Sequence, residues 1–342
     1  MKLTIAVTTD IAFDQRVKRI ATSLVGQGWE VSVIGRRKKN TPQFESSFTC
    51  EWISCFFNRS ALFYAEYNLR LFFRLLHAPS DWICACDLDT LLGAGLAAKF
   101  RRKPLVFDAH EYFEESIEIL DQNWIRKCWE WIARLGLPWT LDRYTVSNSL
   151  AAELKRKYGL EFKVIRNIAP FDQPALPKLR EKYLWYQGAM NAGRGLDLLL
   201  DVISKLPGYR LQLAGDGDLT EHLQNRIRNE GLEQQVYLLG RLDYQSMMEK
   251  ASRAFLGFDL LESGSKSYYW SLSNKTFDYM HAGLPSIQMD FPEYRSLHDR
   301  YPVGLLLADL KAESLLNAIR SFENADFYAS CQEACRRASM EF

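Results

Sequence analysis

The sequence is short of most features that mark a specialised class of protein. It has almost no excess of either charge: Lys plus Arg number 43 and Asp plus Glu 42, a formal net charge of +1. No global field therefore draws in nucleic acid, and any basic surface must be local. No apolar run is long enough to span a membrane before a charge interrupts it. The opening stretch from Met1 to Val7 is too short and too poorly flanked for a signal peptide and reads as a buried first strand. Seven cysteines is an odd number for a disulfide scaffold, and neither Cys84-Ala85-Cys86 nor Cys331 with Cys335 has the spaced second pair of a zinc site. That usage points to a reducing compartment, the cytoplasm. Internal repeats and low-complexity tracts are absent from the sequence.

What is present is an ordinary globular composition, 47% hydrophobic and 25% charged, over 342 residues. That length exceeds one compact core and fits two domains of about 150 residues each. Short β-rich runs at 3–8, 30–34, 49–55, 82–86, 104–107, 143–146 and 162–165 alternate with amphipathic stretches such as 16–25, 64–75 and 124–135. This alternation predicts βαβ units on a parallel sheet buried on both faces. Three prolines, Pro170, Pro174 and Pro177, then break the pattern and read as a linker. The alternation restarts with strands expected at 183–187, 209–214, 236–239, 253–257 and 284–287. The expected domains are 1–168 and 181–324, both Rossmann-like and doubly wound, joined by a linker at 169–180. Tandem domains of this kind hold a ligand in the cleft between them, at strand carboxyl ends.

The strongest cluster runs from Ser271 to Pro285. Ser273 and Asn274 stand at a helix start, whose free N–H groups favour an anion. Lys275 sits in the first turn, where a cation opposes the helix dipole by about 0.3–1 kcal/mol. An anion at that point relieves the conflict. Asp278, one turn on, can accept hydrogen bonds from sugar hydroxyls. The alternative is an ordinary amphipathic helix with a surface lysine. Elsewhere, the run 183–187 leads into Gly188-Ala189-Met190-Asn191-Ala192-Gly193-Arg194-Gly195, a glycine-rich turn with one guanidinium. Such turns admit a phosphate against the backbone. Gly215-Asp216-Gly217 and Gly240-Arg241 end two further strands; each alone is only a turn signal.

Together these residues resemble the retaining GT-B glycosyltransferases of the family-4 type, over nearly the whole chain. The first domain contributes Asp10 to Val17, Phe107-Asp108-Ala109-His110-Glu111 and Val146-Ser147-Asn148. The second contributes the Gly188–Gly195 turn, Gly215-Asp216-Gly217, Gly240-Arg241 and Asn274 to Pro285. The resemblance implies a nucleotide-sugar donor on the second domain, an acceptor approaching the first, and a C-terminal helix, 325–342, crossing back to the first domain. It implies catalytic roles for His110, Arg194 and Lys275, with the two cations clamping the leaving diphosphate. Donor contacts would come from Gly188, Gly215, Asp216, Gly240, Arg241, Ser273, Asn274 and Asp278, and acceptor-side contacts from Asp14, Arg16 and Glu111. Retention needs no protein nucleophile, because the departing phosphate oxygen can take the acceptor's proton on the same face.

Two departures limit the carry-over. Ala189 follows Gly188 where relatives often have arginine, and Trp270 stands where the first acid of a Glu-x7-Glu pair belongs, with Asp278 as the second. Asp87-Leu88-Asp89 offers a D-x-D metal reading, but it precedes a helical run and capping explains it as well. The expectation is therefore a metal-independent enzyme without a cofactor. It would move a hexose from a nucleoside-diphosphate sugar to a glycan or lipid-linked acceptor in cell-surface polysaccharide or glycoconjugate synthesis. Rival readings are a nucleotide-sugar epimerase of the same fold and a non-catalytic nucleotide-sugar-binding protein. The basic loop 36–40 and the aromatic stretch 61–75, with Arg59, Arg70 and Arg74, read as a solvated loop beside a packed helix, or as peripheral contact with anionic lipid at the inner membrane face.

Overall fold

The computed structural model describes residues 1–38, 41, 44–115, 122–169 and 180–342. The linker expected at 169–180 lies outside them apart from its two end residues, as do Lys39 and Asn40 of the basic loop. The chain divides into two units, Met1–Asn167 and Ile168–Phe342.

In the first unit, strands β1 (Lys2–Ala6), β2 (Glu30–Arg36), β3 (Thr49–Ile53), β4 (Trp82–Cys86), β5 (Leu105–Ala109), β6 (Asp142–Thr145) and β7 (Lys163–Val164) form one sheet. Its order is β3-β2-β1-β4-β5-β6-β7, and every pairing is parallel. Helices α1 (Gln15–Gly26), α2 (Ser60–His77), α3 (Leu88–Arg101), α4 (Asn123–Gly136) and α5 (Asn148–Tyr158) make the crossovers. The apolar runs bury because both faces of a parallel sheet are covered: Ile5, Val33 and Cys84 meet Val17 and Ala21 of α1 in one core. Asp14 caps α1 by accepting from the Val17 N–H at 3.0 Å.

In the second unit, β8 (Tyr183–Gln187), β9 (Arg210–Ala214), β10 (Val236–Gly240), β11 (Leu256–Asp259), β12 (Ser286–Met289) and β13 (Gly304–Leu307) pair in the order β10-β9-β8-β11-β12-β13, again all parallel. Helices α6 (Leu196–Ile203), α7 (Thr220–Asn229), α8 (Tyr244–Arg253), α9 (Lys266–Tyr269), α10 (Asn274–His281) and α11 (Pro292–Arg300) connect them, and α12 (Ala312–Ser321) follows β13. The sequence reading missed β13, whose apolar run is only four residues long. It also placed β11 three residues early.

The last helix, α13 (Ala325–Ala338), buries Cys331, Ala334, Cys335 and Ala338 in the second unit's core. Tyr328 donates to the Phe255 carbonyl at 2.8 Å, and the Phe342 carbonyl lies 2.8 Å from His281 Nε2. The small-residue face of α13 lets it pack closely there where a polar helix could not.

Each sheet reverses its winding once. In the first this happens between β1 and β4, in the second between β8 and β11. Crevices at the carboxyl ends of such strands are where doubly wound sheets bind ligands. The sequence motifs fall at those ends.

Candidate active site

In the first unit, β4 runs directly into Asp87, whose backbone takes φ 58° and ψ 172°. A non-glycine residue held there costs on the order of 1–3 kcal/mol. The bend turns its carboxylate toward the end of β5. Oδ1 accepts the His110 N–H at 2.9 Å, and Oδ2 lies 3.0 Å from His110 Nδ1. Asp87 makes no side-chain cap to α3, and Asp89 instead accepts from the Thr8 hydroxyl. The capping explanation of the D-x-D is thus corrected: both carboxylates are committed to tertiary contacts.

His110 stands between two acids. Its Nε2 lies 3.3 Å from Asp108 Oδ2, while Asp108 Oδ1 takes Arg16 Nη2 at 2.6 Å. Arg16 is 9% exposed and Asp108 fully buried, so Arg16 is an internal counter-ion rather than an acceptor-facing side chain. Asp14 is likewise engaged, in its cap and with the Thr9 hydroxyl at 2.5 Å. Glu111 is exposed.

Burial, then the charges of Asp89, Glu111 and Asp108, pushes the Asp87 carboxyl well above the usual range. Burial also raises Asp89, to about 7. Burial lowers His110, with Asp108 pulling the other way, which favours the uncharged imidazole. Burial alone would lower Arg16, but Asp108 more than offsets it and keeps the guanidinium charged.

Cys86, Asp108 and His110 bring one potential metal-ligating atom each within 4.8 Å of one another. They fit a cation poorly. Arg16 already supplies positive charge at Asp108, and the hydrogen bond with Cys84, together with burial, raises the Cys86 thiol well above its normal value. A metal needs the thiolate.

In the second unit, three strand ends converge. The Gly188 N–H donates to the Ala214 carbonyl at 2.9 Å, and the Gly215 N–H to the Gly240 carbonyl at 2.8 Å. Gly215 has φ +147°, and a β-carbon there would lie 1.8 Å from the Gly188 carbonyl oxygen. No side chain is possible at that position. Asp216 pairs with Arg241 at 3.5 Å across exposed surface and also accepts from Thr220 at 3.0 Å.

Lys275 is the centre of this group. It is 6% exposed, its Nζ lies 3.3 Å from Asp259 Oδ1 and 4.4 Å from the centre of the Tyr186 ring. Its Cε lies 3.8 Å from where a side chain at Gly188 would begin, ordinary van der Waals contact; the backbone there, at φ +126°, is what favours glycine. Asp259 Oδ2 accepts from Thr276 at 3.0 Å, from Tyr294 at 2.8 Å, and from Ser273. Ser273 therefore spends its hydroxyl on Asp259 and makes no side-chain cap to α10, while Asn274 is exposed. Burial by itself would raise Asp259, but Lys275 and the three hydroxyls outweigh it and hold the carboxyl below its ordinary value.

Asp278 is 6% exposed, with Oδ2 accepting from Gln187 at 2.8 Å and Oδ1 from Tyr244 at 3.1 Å. Arg194 lies with its guanidinium 5.5 Å from the centre of the Tyr268 ring. Sequence reasoning missed Asp259, Tyr294, Gln187 and Tyr244. Only Asp259 carried a signal, an acid closing the apolar run Leu256-Gly257-Phe258.

Residues 14–171 match the family described as Glycosyltransferase Family 4, and residues 181–324 the family described as Glycosyl transferases group 1. A search of curated protein sequences gives no match. Among solved structures, the fold is similar to a sucrose-phosphate synthase from Thermosynechococcus elongatus, with TM-score 0.77 and 15% identity over 98% of this chain and 94% of that one. It is similar to Anabaena HepE in complex with UDP-glucose, with TM-score 0.73 and 16% identity over 99% and 94%. It is also similar to the lipopolysaccharide outer core galactosyltransferase WaaB, with TM-score 0.66 and 16% identity over 98% and 95%. At these identities the structural likeness speaks to fold, and the two family matches speak to activity. The chain is a glycosyltransferase of GT-B fold, a Glycosyltransferase Family 4 domain followed by a Glycosyl transferases group 1 domain.

Proposed function

We propose that the enzyme moves a hexose from a nucleoside-diphosphate sugar to a glycan or lipid-linked acceptor with retention of configuration and without a divalent metal. The observation that carries this reading is Lys275, a buried cation lying over Gly188 at the switch point of the second sheet. Gly188, Gly215 and Gly240 leave backbone bare beside it, which suits close approach of a diphosphate. Asp259 fixes the ammonium in place while its own second oxygen is saturated by hydroxyls. Positive charge held there before reaction stabilises the leaving diphosphate as charge develops.

Arg194 contributes the second cation of the clamp in this reading, and Asp278, with Gln187 and Tyr244, holds the ribose end of the donor. His110, neutral and fixed by Asp87, orients the donor sugar; the departing phosphate oxygen takes the acceptor proton. Asp87 and Asp89 are spent on His110 and Thr8, which favours charge neutralisation by Arg and Lys. HepE, a neighbour in fold, binds UDP-glucose, which makes that donor the first to test. No helix among the described residues is long and apolar enough to cross a membrane. Arg70 pairs with Glu66 at 2.9 Å and Arg74 with Glu51 at 2.6 Å, so two of the three arginines considered for anionic lipid are already neutralised. We place the enzyme in the cytoplasm, in cell-surface glycan synthesis.

The test is calorimetric titration with UDP, GDP and ADP, followed by turnover of the matching sugar nucleotide with and without EDTA. Product anomeric configuration by NMR decides retention. Binding of no nucleoside diphosphate, or complete loss with EDTA restored by Mn²⁺, overturns the reading.

A further inference from the structure

The first unit holds a cavity of about 820 Å³ that none of the residues discussed so far explains. Its walls are apolar, chiefly Leu62 of α2, Leu92 of α3, and Phe113, Trp124, Trp129 and Ile132 at and around α4. Ligand sites of about 300–1,000 Å³ with apolar walls and few polar groups are the usual form for small-molecule binding. Two of its lining residues tie it to the candidate active site. Leu88 follows Asp87, and Glu111 follows His110, so the cavity adjoins the pair that fixes the imidazole. Leu62 is 57% exposed and Trp124 65%, so the apolar wall continues to solvent. Soluble proteins seldom leave a contiguous apolar surface of this kind without a use.

The cavity's mostly apolar lining suits a hydrocarbon better than a sugar or a phosphate. A hexose presents hydroxyls on every side and needs donors and acceptors in the wall. Ser60, Tyr64, Asn68, Glu111 and Gln122 are the polar side chains of a mostly apolar lining, and Asn68 is consumed by backbone: its Nδ2 donates to the Asp89 carbonyl at 2.6 Å, and its Oδ1 accepts the Gly93 N–H at 2.8 Å. An aliphatic chain asks for nothing polar and gains from leaving water. Resting on the proposed transfer reaction, we infer that this cavity takes the aliphatic chain of an amphiphilic acceptor, with the acceptor's polar head beside His110. The acceptor class is then a glycolipid or lipid-linked sugar rather than a free glycan.

Cys128 lines the same cavity and is exposed, which gives a readout independent of the donor site. The rate of Cys128 alkylation by iodoacetamide, followed by peptide mass spectrometry on the full chain without donor, should fall when the cavity fills. Methyl, hexyl, octyl and decyl β-glucosides, each below its micelle concentration, are the probes. Protection should appear with hexyl and strengthen by up to about fifteenfold in concentration for every two methylenes added. Methyl glucoside should give none, and Cys50, which is outside the cavity, should be unaffected by any. Ala65→Trp, at an exposed cavity wall, and Leu62→Asp, at the rim, should each abolish the chain-length dependence while leaving nucleotide binding unchanged. Equal protection by methyl and decyl glucosides, or protection that survives both substitutions, overturns the inference. So does protection by phosphatidylglycerol vesicles but not by monomeric decyl glucoside, which would make this a membrane-contact face. Because no donor is present, failure here leaves the transferase reading standing, and failure to bind any nucleoside diphosphate leaves this result standing.

Discussion

Asp89 and Asp259 are both buried carboxylates near a strand's carboxyl end, one in each unit, and they behave in opposite ways. Asp89 is 7% exposed, accepts from the Thr8 hydroxyl, and titrates at about 7. Asp259 is fully buried, yet its carboxyl is held below the ordinary range. Burial favours the neutral acid in both. The difference is the donor set: three hydroxyls and the Lys275 ammonium at Asp259, one hydroxyl at Asp89. The first unit thus keeps acids that can hold protons next to a neutral histidine. The second keeps a charged pair whose cation is fixed. The two environments differ in charge: uncharged and proton-holding groups in the first unit, a fixed cation in the second.

The comparison breaks most visibly at Lys275. Lys275→Ala leaves Asp259 buried and unpaired, and should cost about 3–5 kcal/mol in urea denaturation. It should also lower turnover at least tenfold. Adding Asp259→Asn should restore much of the stability but none of the turnover; a single mutant as stable as the parent would show that the pair does not hold the ammonium.

The pH dependence of stability sharpens the contrast next. Asp89 has a raised folded value, so its contribution is complete below about 3.8 and is lost as pH rises through about 7. Asp259 has the opposite sign: its contribution is present above the unfolded value and is lost as pH falls through the folded one. Asp89→Asn should therefore remove a decline on the order of 4 kcal/mol between these limits, measured by urea unfolding at pH 4, 5.5 and 7.5. An unchanged slope would refute the raised value.

Smaller still is the expected loss at His110. His110→Ala should cut turnover about 10²-fold, equivalent to about 2.7 kcal/mol, with nucleotide affinity preserved. Asp87→Asn should cost less and displace the acid limb of the pH–rate profile, which a purely packing role would leave in place. The least effect belongs to Tyr244→Phe. Losing its 3.1 Å hydrogen bond to Asp278 should weaken nucleoside-diphosphate binding by about 1 kcal/mol in calorimetry. Asp278→Ala should weaken it further.

Part of this was legible from residue types alone. Strand alternation and glycine-rich turns set two doubly wound units, because a buried strand must be a short apolar run and a backbone crossing such as Gly215 over Gly188 admits only glycine. The placement of His110 just past β5 and of Lys275 and Asp278 on α10 was legible too, since each sits a few residues from a recognisable strand or helix end. Arg16 shows where that reasoning stops. As sequence it is one more cation after the first strand; in the fold it is the buried partner of Asp108, 92 residues away. Asp87 looked like a helix cap because local spacing is all a sequence displays, and its actual partner, His110, comes from the neighbouring strand. Ser273 was assigned to the α10 cap for the same reason and belongs to Asp259.

The sequence by itself determined the βαβ alternation, the turns that require glycine and which side chains stand at strand ends. Those depend on periodicity, backbone sterics and propensity, all of which act over a few neighbouring residues. Only the tertiary structure decided which cation is spent inside and which carboxylate keeps its proton. It also decided where an apolar cavity remains beside His110. Charge, desolvation and hydrogen bonding act across strands that are close in space and tens of residues apart in the chain, so their outcome is fixed by what packs against what.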